Sequence, residues 1–397
     1  MFSEQAWPTF GEEEHPWVPT IPREFLSNSL RRAHSGPYRA TVVPNIAHAP
    51  LSLPSDVAAL AAEASSDIAR FDAELGADLA PFASILLRSE SASSSRIEHL
   101  SSGAKAIAVA ELGDTSKRNA TEIVGNVAAM RAAIDLADRL DPAAILAMHR
   151  ALLHHVEPDI AGKWREQQVW IGGSSVGPHQ ADYVAPHHQH VPALIDDLVA
   201  FIARDDLPPL VLAAIAHAQF ETIHPFPDGN GRTGRALIHA ILRAWGLTRS
   251  VTIPVSAGLL TDTEAYFATL TAYRQGDPLA IVTEICRATE RALINGRQLA
   301  DDLQRARARW DDAVVARRDA AAWRLADLLL RQPVVDTATI VRELQVTANN
   351  APRAVAPLVN AGVLKEFTGF KRNRLWQATE VITALDAFAT RAGRRTR

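Results

Sequence analysis

The chain has a single cysteine in 397 residues, Cys286. A lone thiol excludes a disulfide framework within the chain and fits a reducing compartment. It sits in an apolar stretch and reads as a core thiol rather than a nucleophile. No stretch approaches 18 uninterrupted apolar residues, so no membrane span is expected. The opening MFSEQAWPTFGEEE lacks a basic start followed by an apolar core, so no secretory leader is expected either. The expectation is a soluble, cytoplasmic protein. Charge of one sign is lacking too. The formal net charge is −4, which leaves no global basic field to advertise nucleic acid. Aromatics are only 6% and alternating apolar runs are few, so the class should be all-α.

What is present is helical periodicity. Residues 1–50 are rich in proline and tryptophan, lack a period and read as an extended segment packed on the body. From Ser55, SDVAALAAEASSDIARFDAEL repeats apolar residues at three and four spacing, the mark of a helix. PFASILLRSESASSSRIEHL predicts a helix to about Ser91, a serine-rich break, and a short helix carrying Arg96 and Glu98. DPAAILAMHRALL predicts a helix capped by Asp141 with Pro142 at its first position. The stretch GKWREQQVWIGGSSVGPHQADYVAP, 162–186, changes texture. Two short β-prone runs flank Gly, Ser and Pro, which predicts a two-stranded flap. VPALIDDLVAFIARD, PPLVLAAIAHAQFETI and GRTGRALIHAILRAWG predict three helices after it. Residues 279–330 read as a long helical stretch broken near 296 and 318. The last part, three short helices and the hairpin LKEFTGFKRNRLWQA, makes a winged-helix pattern. The expected organisation is 1–110 as an N-terminal segment with a helical region, 111–297 as a core, 298–318 as a linker helix, and 319–397 as the winged helix.

Chemistry concentrates in HPFPDGNGRTGR, His224 to Arg235. This string joins the end of one helix to the start of the next. A helix N-terminus presents unpaired N–H groups and a partial positive charge, which suits phosphate. Gly229 and Gly231 permit positive φ and close backbone approach. Asn230 tolerates left-handed conformations and adds side-chain donors. Asp228 is a lone carboxylate beside that cradle, and magnesium is typically held by one or two carboxylates plus substrate phosphates. Arg232 and Arg235 lie three apart near the start of the following helix. Two cations there oppose the helix dipole unless an anion covers them. His224 can accept a proton near neutral pH. DGNG alone is most simply a turn; the whole string is better read as a site.

The string resembles the signature of the Fic family, H-[PX]-F-x-[DE]-G-N-G-R-x-x-R, with every fixed position filled. The likeness extends over roughly residues 40–290, through SSSRIE, the flap and AHAQFETIHPF. It implies a Fic helical bundle that transfers AMP from ATP to a Ser, Thr or Tyr hydroxyl of a target protein. On that implication His224 takes the hydroxyl proton. Asp228 holds magnesium, the backbone of Gly229, Asn230 and Gly231 holds phosphates, Arg232 contacts the β-phosphate region and Arg235 grips the γ-phosphate. Tyr266 and Phe267 are candidates for the base pocket, with core packing as the even alternative. The flap, 169–184, would pair with the target by strand addition. Doc kinases of the superfamily lack the second glycine and the last arginine. Gly231 and Arg235 therefore favour adenylyl transfer.

The family also implies a brake, [ST]-x-x-x-E-[GN], whose glutamate pairs with the last arginine of the signature. Ser94 and Glu98 fit it, and His99 departs from the usual Gly or Asn. Such a pair, if buried, would be strong. An alternative within the enzyme class is removal of AMP, with Glu98 orienting a water. An alternative outside it is a DNA-binding regulator with nucleotide as ligand only. The wing brings Lys365, Lys371, Arg372 and Arg374, and the third helix brings Arg353. That footprint suits DNA or a protein partner, including a second copy of the chain. PHHQH, His187 to His190, reads as a polar loop, and His217 as a packing or supporting histidine.

Overall fold

A computed structural model of the chain describes residues 7–19, 21–76, 80–369 and 374–394. Lys371 and Arg372 of the wing, and the end of the basic tail, lie outside the described residues. Two compact units divide the chain. One comprises Met1–Ala62, Arg131–Trp245 and Glu264–Ile285; the other Glu63–Met130, Gly246–Thr263 and Cys286–Arg397.

The first unit is organised around the helix Pro209–Ile223, in which every residue from Leu210 onward is buried. LVLAAIAHAQFETI lacks a polar face, and such a helix is stable only when surrounded. The helices Val191–Ile202 and Asn230–Ala244 pack against it, and Pro142–Leu153 packs against Asn230–Ala244. Asp141 caps Pro142–Leu153 as its sequence predicts, its carboxylate accepting the Ala144 N–H at 2.8 Å. The flap is an antiparallel pair, Trp170–Ile171 against Tyr183–Val184. Residues 1–50 are not merely extended. Gly11–His15 and Tyr38–Val42 form a second antiparallel pair, and the Thr41 hydroxyl donates to Val184 O at 2.8 Å, fastening that pair to the flap.

The second unit is built on the helix Ala80–Ile97. The expected break near Ser91 is absent. Ser91, Ser93, Ser94 and Ser95 are buried, and their small side chains let neighbouring helices approach. The Ser91 hydroxyl donates back to Leu87 O at 2.8 Å, and Asn126 Nδ2 donates to Ser91 O at 2.9 Å. Tertiary packing overrides the weak helix propensity of serine. Three helices, Val255–Leu259, Ala321–Arg331 and Thr379–Ala392, pack on it. Glu90, fully buried, accepts the Ser256 N–H at 2.9 Å and its hydroxyl at 2.6 Å.

The break expected near 296 is absent as well, since one helix runs Leu279–Ala313. A Cβ on Gly296 would lie 3.0 Å from the Phe71 ring. This glycine serves close packing rather than termination. Beyond Ala313 the winged helix takes its expected form, with helices Ala321–Arg331, Thr337–Leu344 and Ala351–Asn360. The wing strand Leu375–Ala378 pairs with Leu364–Glu366 and also with a strand the sequence left unread, Val334–Asp336. Cys286 is buried, and burial pushes its thiol up to about 12, in keeping with a core thiol.

Candidate active site

The turn His224–Gly229 separates Pro209–Ile223 from Asn230–Ala244. It is bounded by two left-handed residues, His224 at φ 50 and Gly229 at φ 77. For glycine this backbone is free; for histidine it is strained by roughly 1–2 kcal/mol and must be held. Arg165 holds it. Its Nε donates to His224 O at 2.8 Å, and its backbone N–H donates to Pro225 O at 3.0 Å. Its other nitrogens reach Gln167 O and Pro186 O. The side chain is buried, and burial pushes its pKa down to about 10, which leaves it cationic at neutral pH. His224 itself is half-buried. Its Nδ1 lies 3.3 Å from Glu221 O. A carbonyl only accepts, so this contact places a proton on Nδ1.

The rest of the turn is locked from beneath. Phe226 is fully buried between the ring of His149, stacked at 3.6 Å, and that of Trp164 at 4.9 Å. His149 Nε2–H donates to Asp228 O at 3.0 Å, while its Nδ1 accepts the Gly162 N–H at 2.9 Å. These two bonds fix one neutral tautomer, and burial pushes the pKa of His149 down to about 4. Asn230 spends its amide on the loop. Oδ1 accepts Phe226 N–H and Nδ2 donates to Phe226 O, each at 2.9 Å. The side-chain donors that the sequence offered to a ligand are thus closed onto the turn. Gly229 is required twice over, by its φ and by space, since a Cβ there would lie 2.9 Å from Leu152 Cδ2.

What the locked turn exposes is the start of the helix Asn230–Ala244. Its first intrahelical bond is Thr233 N–H to Gly229 O, and no side chain caps it. The N–H groups of Asn230, Gly231 and Arg232 precede that bond and point the positive end of the helix dipole at the turn. The Asp228 carboxylate is 54% exposed there, tied through one oxygen to Arg232 Nη2 at 3.1 Å. Arg232 and Arg235 are both buried. Gly234 lets this helix approach Pro209–Ile223 closely, since a Cβ there would lie 2.8 Å from Glu221 Oε1, 2.9 Å from Phe220 and 3.1 Å from His217 Nδ1. Burial, reinforced by the charge of Arg235, pushes the pKa of His217 down to about 3.

His224, Asp228, Gly229, Asn230, Gly231, Arg232 and Arg235 thus come together on one turn and the helix it opens. Tyr266 is buried, its hydroxyl 2.7 Å from His217 Nε2, so this ring and His217 brace the bundle, whereas Phe267 beside it is 48% exposed. The polar loop His187–His190 faces the N-terminal hairpin, where His190 meets Glu13 at 3.0 Å. Ser94 and Glu98 belong to the second unit. Ser94 is fully buried. Glu98 follows the helix end and is exposed. His99 takes φ 61, and Leu100 N–H bonds to Ser95 O at 3.0 Å. The histidine thus adopts the left-handed terminus that Gly or Asn gives easily.

Three contributors escaped the sequence reading: Arg165, His149 and Gly234. Arg165 stood inside the flap string and His149 inside a helical apolar pattern, with nothing in either to link them to the turn. The flap is tied to the same helix end. The Tyr183 hydroxyl donates to Thr222 O at 2.6 Å, burial pushes its pKa up to about 12, and the Arg274 guanidinium sits 3.7 Å over its ring.

Residues 139–242 match the model of the Fic/DOC family, and residues 323–378 match a model described as an HTH DNA binding domain. A protein adenylyltransferase Fic from Nematostella vectensis is 30% identical over 152 residues, 38% of this chain and 32% of that protein. The one from Aedes aegypti is 33% identical over 150 residues, 38% of this chain and 28% of that protein. The chain therefore spans about a third or less of the length of these curated relatives. A crystal structure of a Fic family protein from Desulfovibrio desulfuricans shares the fold, with TM-score 0.53 and 22% identity over 83% of this chain and 97% of that one.

Proposed function

We propose that this chain, whose residues 139–242 match the Fic/DOC family, transfers AMP from ATP to a hydroxyl side chain of a protein. The observation that carries the proposal is the locked turn. It sets the His224 imidazole, the Asp228 carboxylate and the N-terminus of Asn230–Ala244 within one loop. The kinship with proteins named adenylyltransferases supports the same reading.

In the reaction, His224 Nε2 accepts the proton of the target Ser, Thr or Tyr hydroxyl. The hydroxyl oxygen bonds to the α-phosphorus, the bond from that phosphorus to the bridging oxygen breaks, and pyrophosphate leaves. The N–H groups of Asn230, Gly231 and Arg232 and the two arginines receive the phosphate charge, as positioning and electrostatics do in phosphoryl chemistry generally. Asp228 would hold magnesium, since a half-exposed lone carboxylate beside a phosphate cradle is the donor set that ion uses. Bound there, the metal would neutralise phosphate charge. The flap, with its base tied at Tyr183, would receive the target segment by strand addition.

Glu98 acts as the brake by competing for Arg235. The deciding experiment incubates the Glu98→Gly chain with magnesium and α-labelled ATP and reads label on protein. Transfer should rise above wild type, vanish in His224→Ala on that background, and fall in Asp228→Ala. No labelled protein from any variant would refute adenylyl transfer. Equal transfer with and without Glu98 would refute the brake alone.

The match of residues 323–378 to an HTH DNA binding domain favours a second role, contact with DNA. Arg353 and Lys365 are exposed on the third helix and the wing. A gel shift at low salt that disappears as salt rises supports it; no shift at low salt dismisses it.

A further inference from the structure

The second unit contains a cavity that the transfer chemistry leaves unused. Its volume is about 430 Å³, and it lies among the helices Ala80–Ile97, Ala104–Ala110 and Thr379–Ala392. Most of the wall is apolar, with Ala92, Ile107, Leu385 and Phe388 contributing. Of the polar groups in it, Asp386 Oδ1 accepts the Ala104 N–H at 3.0 Å and Arg96 Nη1 donates to Ala389 O at 2.7 Å. Two others each hold a buried polar atom without a partner. Arg88 is 5% exposed and spends Nε and Nη2 on Glu111, at 2.9 Å and 2.6 Å, yet its Nη1 has no partner. Ser89, also 5% exposed, has a hydroxyl without a partner.

Buried donors are almost always satisfied, and each exception calls for a reason. Here the exceptions are neighbours in sequence, and both residues line the same cavity. A guanidinium Nη1 and a hydroxyl are donors, so their complement is an acceptor with more than one oxygen. A carboxylate has two and no proton to dispose of. The apolar wall asks for an apolar body behind it. The volume falls within the range of small-ligand sites rather than that of a buried water.

We propose that this cavity binds a small organic monocarboxylate, its head received by Arg88 Nη1 and the Ser89 hydroxyl and its apolar body lying against Ala92, Ile107, Leu385 and Phe388. Glu111 shares the Arg88 guanidinium and keeps it oriented. The neutral amide of the same acid offers one acceptor where the acid offers two and carries no charge.

The test is calorimetric titration of the full chain with 3-phenylpropanoate, and separately with 3-phenylpropanamide. One-site saturable binding of the acid is expected, with the amide about tenfold weaker. Ala92→Phe fills the cavity and should abolish binding. Ser89→Ala, which leaves the apolar wall and the Arg88–Glu111 pair intact, should weaken it about threefold to tenfold. Circular dichroism melting checks that both variants fold; if Ala92→Phe does not, Ser89→Ala decides. No saturable binding at about 10 mM, an amide that binds as well as the acid, or unchanged affinity in Ser89→Ala overturns the proposal.

Discussion

The Nε–H of Arg165 donates to the carbonyl oxygen of His224 over 2.8 Å, 59 positions away along the chain. That bond holds a histidine in a left-handed conformation, and so decides where the proposed base sits.

Arg165→Lys should therefore impair transfer more than it impairs folding. Lysine offers one compact donor group where arginine feeds several carbonyls through a planar fork. Each carbonyl left unpaired costs about 1–3 kcal/mol. In the Glu98→Gly background, label transfer should fall about tenfold or more while the melting temperature drops by several degrees. An unchanged transfer rate would show that Arg165 does not position His224.

His149 gives the fold an acid limit. Its pKa is about 4 in the fold and about 6.5 when unfolded. Between those values the unfolded chain binds a proton that the folded chain refuses. Stability is therefore complete above about pH 6.5 and declines as pH falls toward 4, at roughly 1.4 kcal/mol per unit. His217, pushed down to about 3, adds a decline of the same sign. Urea midpoints taken from pH 7 to pH 4 should fall steeply for the wild type and less steeply for His149→Gln. Parallel slopes would remove His149 as a cause.

Gly234→Ala tests a position that the signature leaves variable. The added methyl meets Glu221, Phe220 and His217 at 2.8–3.1 Å. Overpacking of this kind costs about 1–3 kcal/mol. The melting temperature should drop, and transfer should drop with it because Arg235 follows directly. Full stability in this variant would mean that the neighbouring side chains yield.

Tyr183→Phe removes one hydroxyl between the flap and Thr222. The loss should be about 1 kcal/mol, felt as local opening rather than global unfolding. Hydrogen exchange across 169–184 should quicken while exchange in Pro209–Ile223 stays slow. Unchanged flap exchange would show that the other ties suffice.

Much of the site was legible because its chemistry is local. His224, Asp228, Gly229, Gly231, Arg232 and Arg235 lie within twelve consecutive residues, and the glycines and the helix start declare the turn. The flap strands and the Asp141 cap were readable for the same reason. Two helix breaks were misread, at Ser91 and near 296, because local propensity was the only guide. Buried serines and a glycine facing Phe71 follow packing instead.

By itself the sequence determined a mostly helical chain, a turn with the residue types for phosphate, and a winged helix at its end. Those follow from periodicity and from the backbone freedom of glycine, which act over a few residues. Only the tertiary structure decided that Arg165 grips His224, that His149 carries the Asp228 carbonyl on a fixed neutral tautomer, that Asn230 turns its amide inward, and that Arg88 keeps one nitrogen without a partner beside a cavity. The reason is physical. A buried donor must find an acceptor wherever packing brings one, and packing brings together residues that sequence spacing does not relate.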